Sequence, residues 1–362
     1  MLKYSQEDVI SCICTSYIIK KDFTDEGESV MNHTPFRAIV VKEKENNQFE
    51  RKLVEREVNS LPEGDVLIRV HYSSLNYKDA LSATGNKGVT RTYPHTPGID
   101  AAGEVVSSGN NAFQEGDQVI VTGYDLGMNT SGGFGEYIRV PSSWVVPLPK
   151  EMTLKESMMY GTAGFTAALS VYKLIRAGIT PSMGDVLVTG ATGGVGSVAV
   201  SILGKLGYSV VGATGKMEEK EMLLRLGAKK MIHRTELSDE SGRPMLKGIY
   251  AGVVDTVGGN MLETVLKSLQ YGGCVTTCGN VAGQELHTTV YPFILRGISL
   301  LGIDSVQCPV DVRREVWTLL ASEWKNLELI SCTEECTLEE LDEKFALILQ
   351  GKLKGRTVVK MK

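Results

Sequence analysis

Val186-Leu-Val-Thr-Gly-Ala-Thr-Gly-Gly-Val-Gly-Ser197 is an apolar run that meets a glycine-rich turn and continues in a helical pattern. Aligned to G-x-G-x-x-G, the turn is Ala191-x-Gly193-x-x-Gly196. Gly193 would let the backbone approach a pyrophosphate, and Gly196 would let the helix pack closely on its strand. Thr192, Gly194 and Val195 complete the cradle, and the helix N-terminus offers free N–H groups and a partial positive charge. A glycine turn serving packing alone is the plainer alternative. The strand before it and the helix after it favour a dinucleotide.

The end of the next strand, Gly212-Ala-Thr-Gly-Lys216, bears on which dinucleotide. A carboxylate there would grip the adenosine ribose hydroxyls, and none is present. Thr214 and Gly215 leave room for a 2′-phosphate, and Lys216 offers it a charge. Arg234, at the end of the following strand, offers a second cation with fork geometry. The expected cofactor is NADPH.

A second group of reactive side chains is Asn76-Tyr77-Lys78-Asp79, just after Ser73-Ser74. Tyr77 can donate a proton or hydrogen bond, and Asn76 can orient a substrate or ribose. Lys78 and Asp79 either act chemically or form a local ion pair. The alternative is a turn packed under the cofactor. Gly279-Asn280 and Asp304-Ser305 follow the fifth and sixth strands of the alternating region, where open parallel sheets bind ligands. Asn280 and Ser305 are therefore candidate cofactor contacts.

These groups need two kinds of scaffold. Strand patterns at Phe36–Val41, Val66–His71, Gly116–Thr122 and Gly135–Val140 describe a small mostly-β domain up to about residue 150. Helical patterns at Leu154–Tyr160 and Thr166–Ile175 come next. Strands are then expected at Val186–Thr189, Val210–Ala213, Lys230–His233, Gly252–Asp255, Cys274–Cys278 and Ile298–Ile303. Helices at Gly196–Leu206, Met217–Leu226 and Met261–Leu269 alternate with them, with Gly207, Gly227 and Gly272 placed to end them. The alternation implies an α/β fold with a doubly wound parallel sheet. Helices near Val312–Glu323 and Leu338–Leu349 and a last strand, Arg356–Lys360, would return to the first domain. The expected division is residues 31–155 with 311–362, and residues 156–310.

At 362 residues, two domains with a sizeable core are expected. A net charge of -5 gives no footprint for nucleic acid or an anionic membrane. No apolar run approaches the roughly 18 residues of a membrane span. Seven cysteines, an odd number without a CxxC pair, point to reduced thiols and a cytoplasmic location. Cys274 and Cys278 are read as buried packing residues. Residues 1–30, with an apolar patch at Asp8–Ile19 and an acidic run at Asp22–Glu28, are read as an extension without secretory features. An upstream translation start before Met31, or a partner-binding arm, would account for it.

From Phe36 to Lys362 the chain resembles the medium-chain dehydrogenase/reductase superfamily. The resemblance rests on Leu75-Asn-Tyr-Lys-Asp79, Tyr93-Pro-His-Thr-Pro-Gly-Ile-Asp100, Gly132-Gly-Phe-Gly-Glu-Tyr137 and Gly161-Thr-Ala-Gly-Phe-Thr-Ala167. Asp255-Thr-Val-Gly-Gly259, Pro292-Phe-Ile-Leu-Arg296, Gly302-Ile-Asp-Ser305 and Gly355-Arg-Thr-Val-Val-Lys360 look like its YhdH/YhfP branch of quinone oxidoreductases and acrylyl-CoA reductases. The resemblance implies a GroES-like first domain, a Rossmann second domain, an active site in the cleft between them, and a homodimer. It places the Asn76–Asp79 segment beside the nicotinamide, with Thr162 and Phe165 either lining that pocket or packing a helix. Asn76 and Ile99 stand where zinc-dependent relatives carry Cys and His, so no metal is expected.

Hydride transfer to a polarised C=C needs no metal, because the substrate's own carbonyl accepts the electrons. The expected substrate is a small molecule: a short 2-enoyl-CoA such as acrylyl-CoA or, alternatively, a quinone or an enal or enone. Tyr77 and Asn76 are the catalytic candidates, with water as another proton source. Arg91 and Arg296 could meet CoA phosphates. A non-catalytic NADPH-binding sensor is the reading of a different class.

Overall fold

The computed structural model describes residues 33–361. The expectations for residues 1–30, Cys12 and Cys14 included, lie outside the described residues.

In the strand Val66–Ser74, Val66, Ile68 and Val70 point into one core, while Leu67 meets Phe36, Ala38 and Leu61 on the other face. That two-sided burial makes it the centre of a seven-stranded sheet. Five strands follow one another across it in the order Arg356–Lys360, Val66–Ser74, Asp100–Ser108, Gln118–Thr122 and Val145–Pro147. Thr333–Cys336 flanks Arg356–Lys360, and Tyr137–Val140 also pairs with Val66–Ser74. A hairpin of Pro35–Glu43 and Phe49–Glu57 lies beside this sheet. The last strand runs antiparallel to Val66–Ser74, pairing Val358 with Ser74 and Val359 with Ser73. That register sets Arg356 beside the end of Val66–Ser74.

The second sheet is wholly parallel, ordered Ala228–His233, Ser209–Thr214, Asp185–Thr189, Tyr250–Asp255, Leu269–Thr277 and Ser299–Gly302. The strand order reverses at Asp185–Thr189, so the glycine-rich turn leaves the sheet at its switch point. The helix Gly194–Lys205 follows that turn and buries Val198, Ala199, Ile202 and Leu203. The fold is thus α/β, a GroES-like sheet domain joined to a Rossmann-like parallel sheet.

Local structure departs from the sequence expectations in several places. The segments Leu154–Tyr160 and Thr166–Ile175 belong to one helix, Leu154–Arg176, broken only at Gly161 (φ 53°, ψ −158°). A Cβ on Gly161 would lie 2.3 Å from Ser74 Oγ and 2.5 Å from Asp100 Oδ2, so close approach and positive φ both require glycine. Met217–Glu219 is a 3₁₀ turn, and the α-helix proper is Lys220–Leu226. Gly272 does not end a helix. Gly259–Lys267 stops at Ser268, and Gly272 sits within the strand Leu269–Thr277, longer than the expected Cys274–Cys278. The tetrad after Ser74 is not a turn: Asn76 caps the helix Tyr77–Ala83.

The helix Val310–Ala321 buries Val316, Trp317 and Leu320 in the same core as the helix Leu154–Arg176. Trp317 stacks on Phe165 with ring centroids 6.0 Å apart. No helix among the described residues is long and apolar enough to cross a membrane.

Candidate active site

At the glycine-rich turn, a Cβ on Gly196 would lie 2.2 Å from the Gly190 carbonyl oxygen, so helix and strand meet there only through glycine. The Ser197 N–H bonds the Gly193 carbonyl at 2.9 Å as the helix begins. The N–H groups of Gly194, Val195 and Gly196 lie in the first turn, without intrahelical partners. Thr192 and Thr214 join the turn to the second strand through hydroxyls 2.9 Å apart. Thr214 also accepts the Lys216 N–H at 3.0 Å.

Arg234 lies across Gly215, its Nε 3.1 Å from where a Cβ would stand. Lys216 sends its ammonium to the Leu353 carbonyl at 2.8 Å. Two cations thus flank a glycine at the strand end, and the residues that could hold a 2′-phosphate are together. Leu353 belongs to the segment leading into the last strand. Two residues further on, the Gly355 N–H reaches the Thr192 carbonyl at 3.3 Å.

Arg356, next in the chain, enters a buried polar cluster between the two sheets. Its guanidinium donates to Ser74 Oγ at 2.9 Å, to the Met159 carbonyl at 3.1 Å, and to the Leu75 carbonyl and Asn76 Oδ1 at 3.4 Å. A Cβ on Gly194 would stand 3.1 Å from Arg356 Nη1, so the cluster lies directly under the glycine-rich turn. Asp100 is the acceptor at its heart. Asp100 Oδ2 takes the Ser74 hydroxyl at 2.5 Å, the Asn76 amide at 2.8 Å and the Thr162 N–H at 2.9 Å. Asp100 Oδ1 takes the Thr162 hydroxyl at 2.5 Å. Ser74 therefore bridges the Asp100 and Arg356 charges.

Asp79 lies in the same cluster and is fully buried. It accepts the Asn76 N–H at 2.7 Å and the Ile99 N–H at 2.8 Å. Burial, reinforced by the Asp100 charge, pushes its carboxyl up to about 7. Burial lowers the Arg356 pKa, while Asp100 and Asp79 oppose that shift.

This geometry divides the tetrad. Asn76 is committed at both ends of its amide, and Asp79 at both oxygens. Lys78 makes no ion pair with Asp79; its ammonium lies 4.0 Å from Met128 Sδ. Tyr77 is 47% exposed.

Elsewhere, Ser305 Oγ meets Thr166 Oγ1 at 2.8 Å. Arg313, completely buried, fixes the Ser305 loop to the other sheet, donating to the Thr122 carbonyl at 2.9 Å and the Ser305 carbonyl at 2.8 Å. Its guanidinium is 4.7 Å from the ring centres of both Tyr124 and Phe165. Phe165 is accordingly a packing residue, held between Arg313 and Trp317. Asn280 lines a cavity of about 830 Å³ with Cys278, Gly279, Asp304 and Lys173. Cys274 is buried and Cys278 half-buried, and burial raises both thiols, to about 11 and about 12. Arg296 is committed to the Lys267, Leu269 and Leu246 carbonyls, which removes it as a phosphate ligand. Arg91 remains exposed.

Sequence reasoning singles out neither the cluster of Ser74, Asp100, Gly161 and Arg356 nor the separate Arg313. The cluster residues meet only through strand pairing between distant segments, which leaves no signature in the local sequence. Among the described residues, no three His, Cys, Asp or Glu side chains form a group that could hold a metal ion.

Comparison with known proteins matches residues 62–150 to the alcohol dehydrogenase GroES-like domain and residues 194–322 to the zinc-binding dehydrogenase family. The chain is 50% identical over 302 residues to Bacillus subtilis YhfP, named as a quinone oxidoreductase, covering 83% of this chain and 92% of that one. It is 42% identical over 325 residues to the acrylyl-CoA reductase AcuI of Ruegeria pomeroyi, covering 90% and 98%. Among solved structures, the yhdH oxidoreductase of Salmonella enterica in complex with NADP superimposes with a TM-score of 0.88 at 42% identity, over 90% of this chain and all of that one. Bacillus subtilis yhfP with NAD bound gives a TM-score of 0.88 at 47% identity, over 91% of this chain and all of that one. The chain belongs to the medium-chain dehydrogenase/reductase family, in the group that contains YhfP and AcuI.

Proposed function

We propose that this chain is a cytoplasmic, homodimeric, NADPH-dependent reductase of conjugated C=C bonds, acting on a short 2-enoyl-CoA such as acrylyl-CoA without a metal. The observation that carries the cofactor assignment is the pair Lys216 and Arg234 flanking Gly215, where an NAD-binding site would place a carboxylate. Similarity to AcuI over 98% of that protein's length supports the acceptor. NADPH supplies the hydride that adds to the β-carbon.

The chain's own residues do the rest. Gly193 and the first-turn N–H groups of Gly194, Val195 and Gly196 receive the pyrophosphate, with Thr192 behind them. Thr214, Gly215, Lys216 and Arg234 receive the 2′-phosphate. Asn280 and Ser305 close the nicotinamide end, and Tyr77 covers the cofactor from the other sheet. Asn76 acts by position: its amide is locked to Asp100 and Arg356, which fixes where the helix Tyr77–Ala83 begins. Zinc binding finds no support at Asn76, whose side chain is engaged within the cluster, or at Ile99, which offers no ligand atom.

The second reading, quinone or enone reduction, is favoured by the 50% identity to YhfP. NADPH oxidation measured in parallel with acrylyl-CoA, crotonyl-CoA, a simple quinone and an enone separates the two. The enoyl-CoA esters should give the highest kcat/KM; a large preference for the quinone refutes the enoyl-CoA assignment.

A further inference from the structure

Four adjacent side chains could serve the acceptor, and the fold commits two of them. The Asn76 amide is spent on Asp100, the Ser74 carbonyl and Arg356. Asp79 is spent on two backbone N–H groups. Tyr77 stands 47% exposed, where water competes for its hydroxyl. Lys78 is different. It is half-buried, its ammonium has only the Met128 sulfur, at 4.0 Å, as a side-chain partner, and no carboxylate lies within ion-pairing distance of it among the described residues. A thioether satisfies little of an ammonium's three-donor capacity.

We propose that Lys78 is the electrophile and acid of the reaction, a role that rests on the conjugated-reductase reading above. Hydride addition to the β-carbon moves the C=C electron pair toward the carbonyl, and negative charge collects on its oxygen. The Lys78 ammonium donates a hydrogen bond to that oxygen as the charge develops. When the enolate collapses back to the carbonyl, its electron pair takes a proton from Nζ at the α-carbon. Lys78 is left as a neutral amine and recovers its proton from solvent. One hydride and one proton are consumed for each C=C reduced. The rigid cluster beneath contributes by fixing the first turn of the helix, so that Lys78 presents one face of the acceptor with its donor.

The test uses the full chain, crotonyl-CoA, an enone and NADPH. Lys78→Met should lower kcat by about 100-fold or more, the scale for loss of one oxyanion donor. Its NADPH affinity, read by fluorescence titration, should stay unchanged. In D2O the wild type should place deuterium on a single face of the α-carbon of butyryl-CoA, and Lys78→Met on both faces, because water then protonates. Lys78→Arg keeps the charge but is a poor proton donor. It should recover much of the rate without the facial selectivity. Facial selectivity retained in Lys78→Met, or a loss of NADPH binding that accounts for its rate, overturns the role of Lys78. Wild-type protein that reduces neither acceptor overturns the reductase reading itself, and Lys78 with it.

Discussion

Asp100→Asn is the sharpest probe of the buried cluster. The carboxylate accepts four hydrogen bonds, from the Ser74 and Thr162 hydroxyls at 2.5 Å, the Asn76 amide at 2.8 Å and the Thr162 N–H at 2.9 Å. Asparagine keeps its oxygen at the Oδ2 position, where three of these bonds end, and turns Oδ1, which holds one, into a donor. Hydrogen bonds to a charged group contribute about 1.5–3 kcal/mol each, which is the scale of the one bond lost. The hydroxyls can rotate to accept from the new amide, which moves the expectation toward the lower end. Arg356 also loses a nearby negative charge while remaining fully buried, and breaking a buried pair costs about 3–5 kcal/mol. A destabilisation of about 3–5 kcal/mol is therefore expected for Asp100→Asn, and a similar value for Arg356→Met. The double variant removes both charges together and should cost less than the sum by at least about 1 kcal/mol. Urea unfolding at fixed pH, with midpoint and slope fitted separately, measures all three. Costs that add to within about 0.5 kcal/mol would refute the coupling through Ser74, because uncoupled sites behave that way.

Lys216→Ala and Arg234→Ala should each raise KM for NADPH by about tenfold or more, since a charge-assisted bond to phosphate is worth about 1.5–3 kcal/mol. KM for NADH should hardly move, and equal use of the two cofactors by the wild type would sink the 2′-phosphate site. Asp79 gives a pH dependence of definite sign. Its folded pKa of about 7 lies above the ordinary aspartate value of 3.8, so the folded chain holds the proton more tightly. Its contribution to stability is full below about pH 4 and is lost as pH rises through 7. About three pH units at 1.36 kcal/mol each set an upper size of about 4 kcal/mol. Asp79→Asn should flatten the stability profile between pH 4 and 7 relative to wild type; a parallel profile would place the raised pKa elsewhere.

The features legible in the sequence are those whose cause is local. The glycine turn at Gly193–Gly196 announces itself because strand, turn and helix are consecutive, and the missing carboxylate at Gly212–Lys216 is a fact about five adjacent residues. The break at Gly161 was legible only as a gap between two helical patterns. Its cause, the approach of Ser74 and Asp100, comes from segments more than sixty residues away. The cluster itself has no local signature. Asp100 opens one strand and Arg356 opens another, and only the antiparallel register of Arg356–Lys360 on Val66–Ser74 brings them to the same serine. The same long-range pairing sorts the four residues of the tetrad by burial. All four side chains of Asn76–Asp79 carry polar groups, and the sequence favours Tyr77 and Asn76 for chemistry without showing which of the four are buried. Hydrogen bonds to Asp100, Arg356 and two backbone N–H groups turn the Asn76 and Asp79 side chains inward, while Tyr77 stays exposed and Lys78 half-buried. The chemistry of the site is thus sorted by a strand that arrives from the other end of the chain, carrying Leu353 to Lys216, Gly355 to Thr192 and Arg356 to Asn76 within four residues. The glycine-rich turn and the Asn76–Asp79 segment are held to one another by that strand and the residues leading into it.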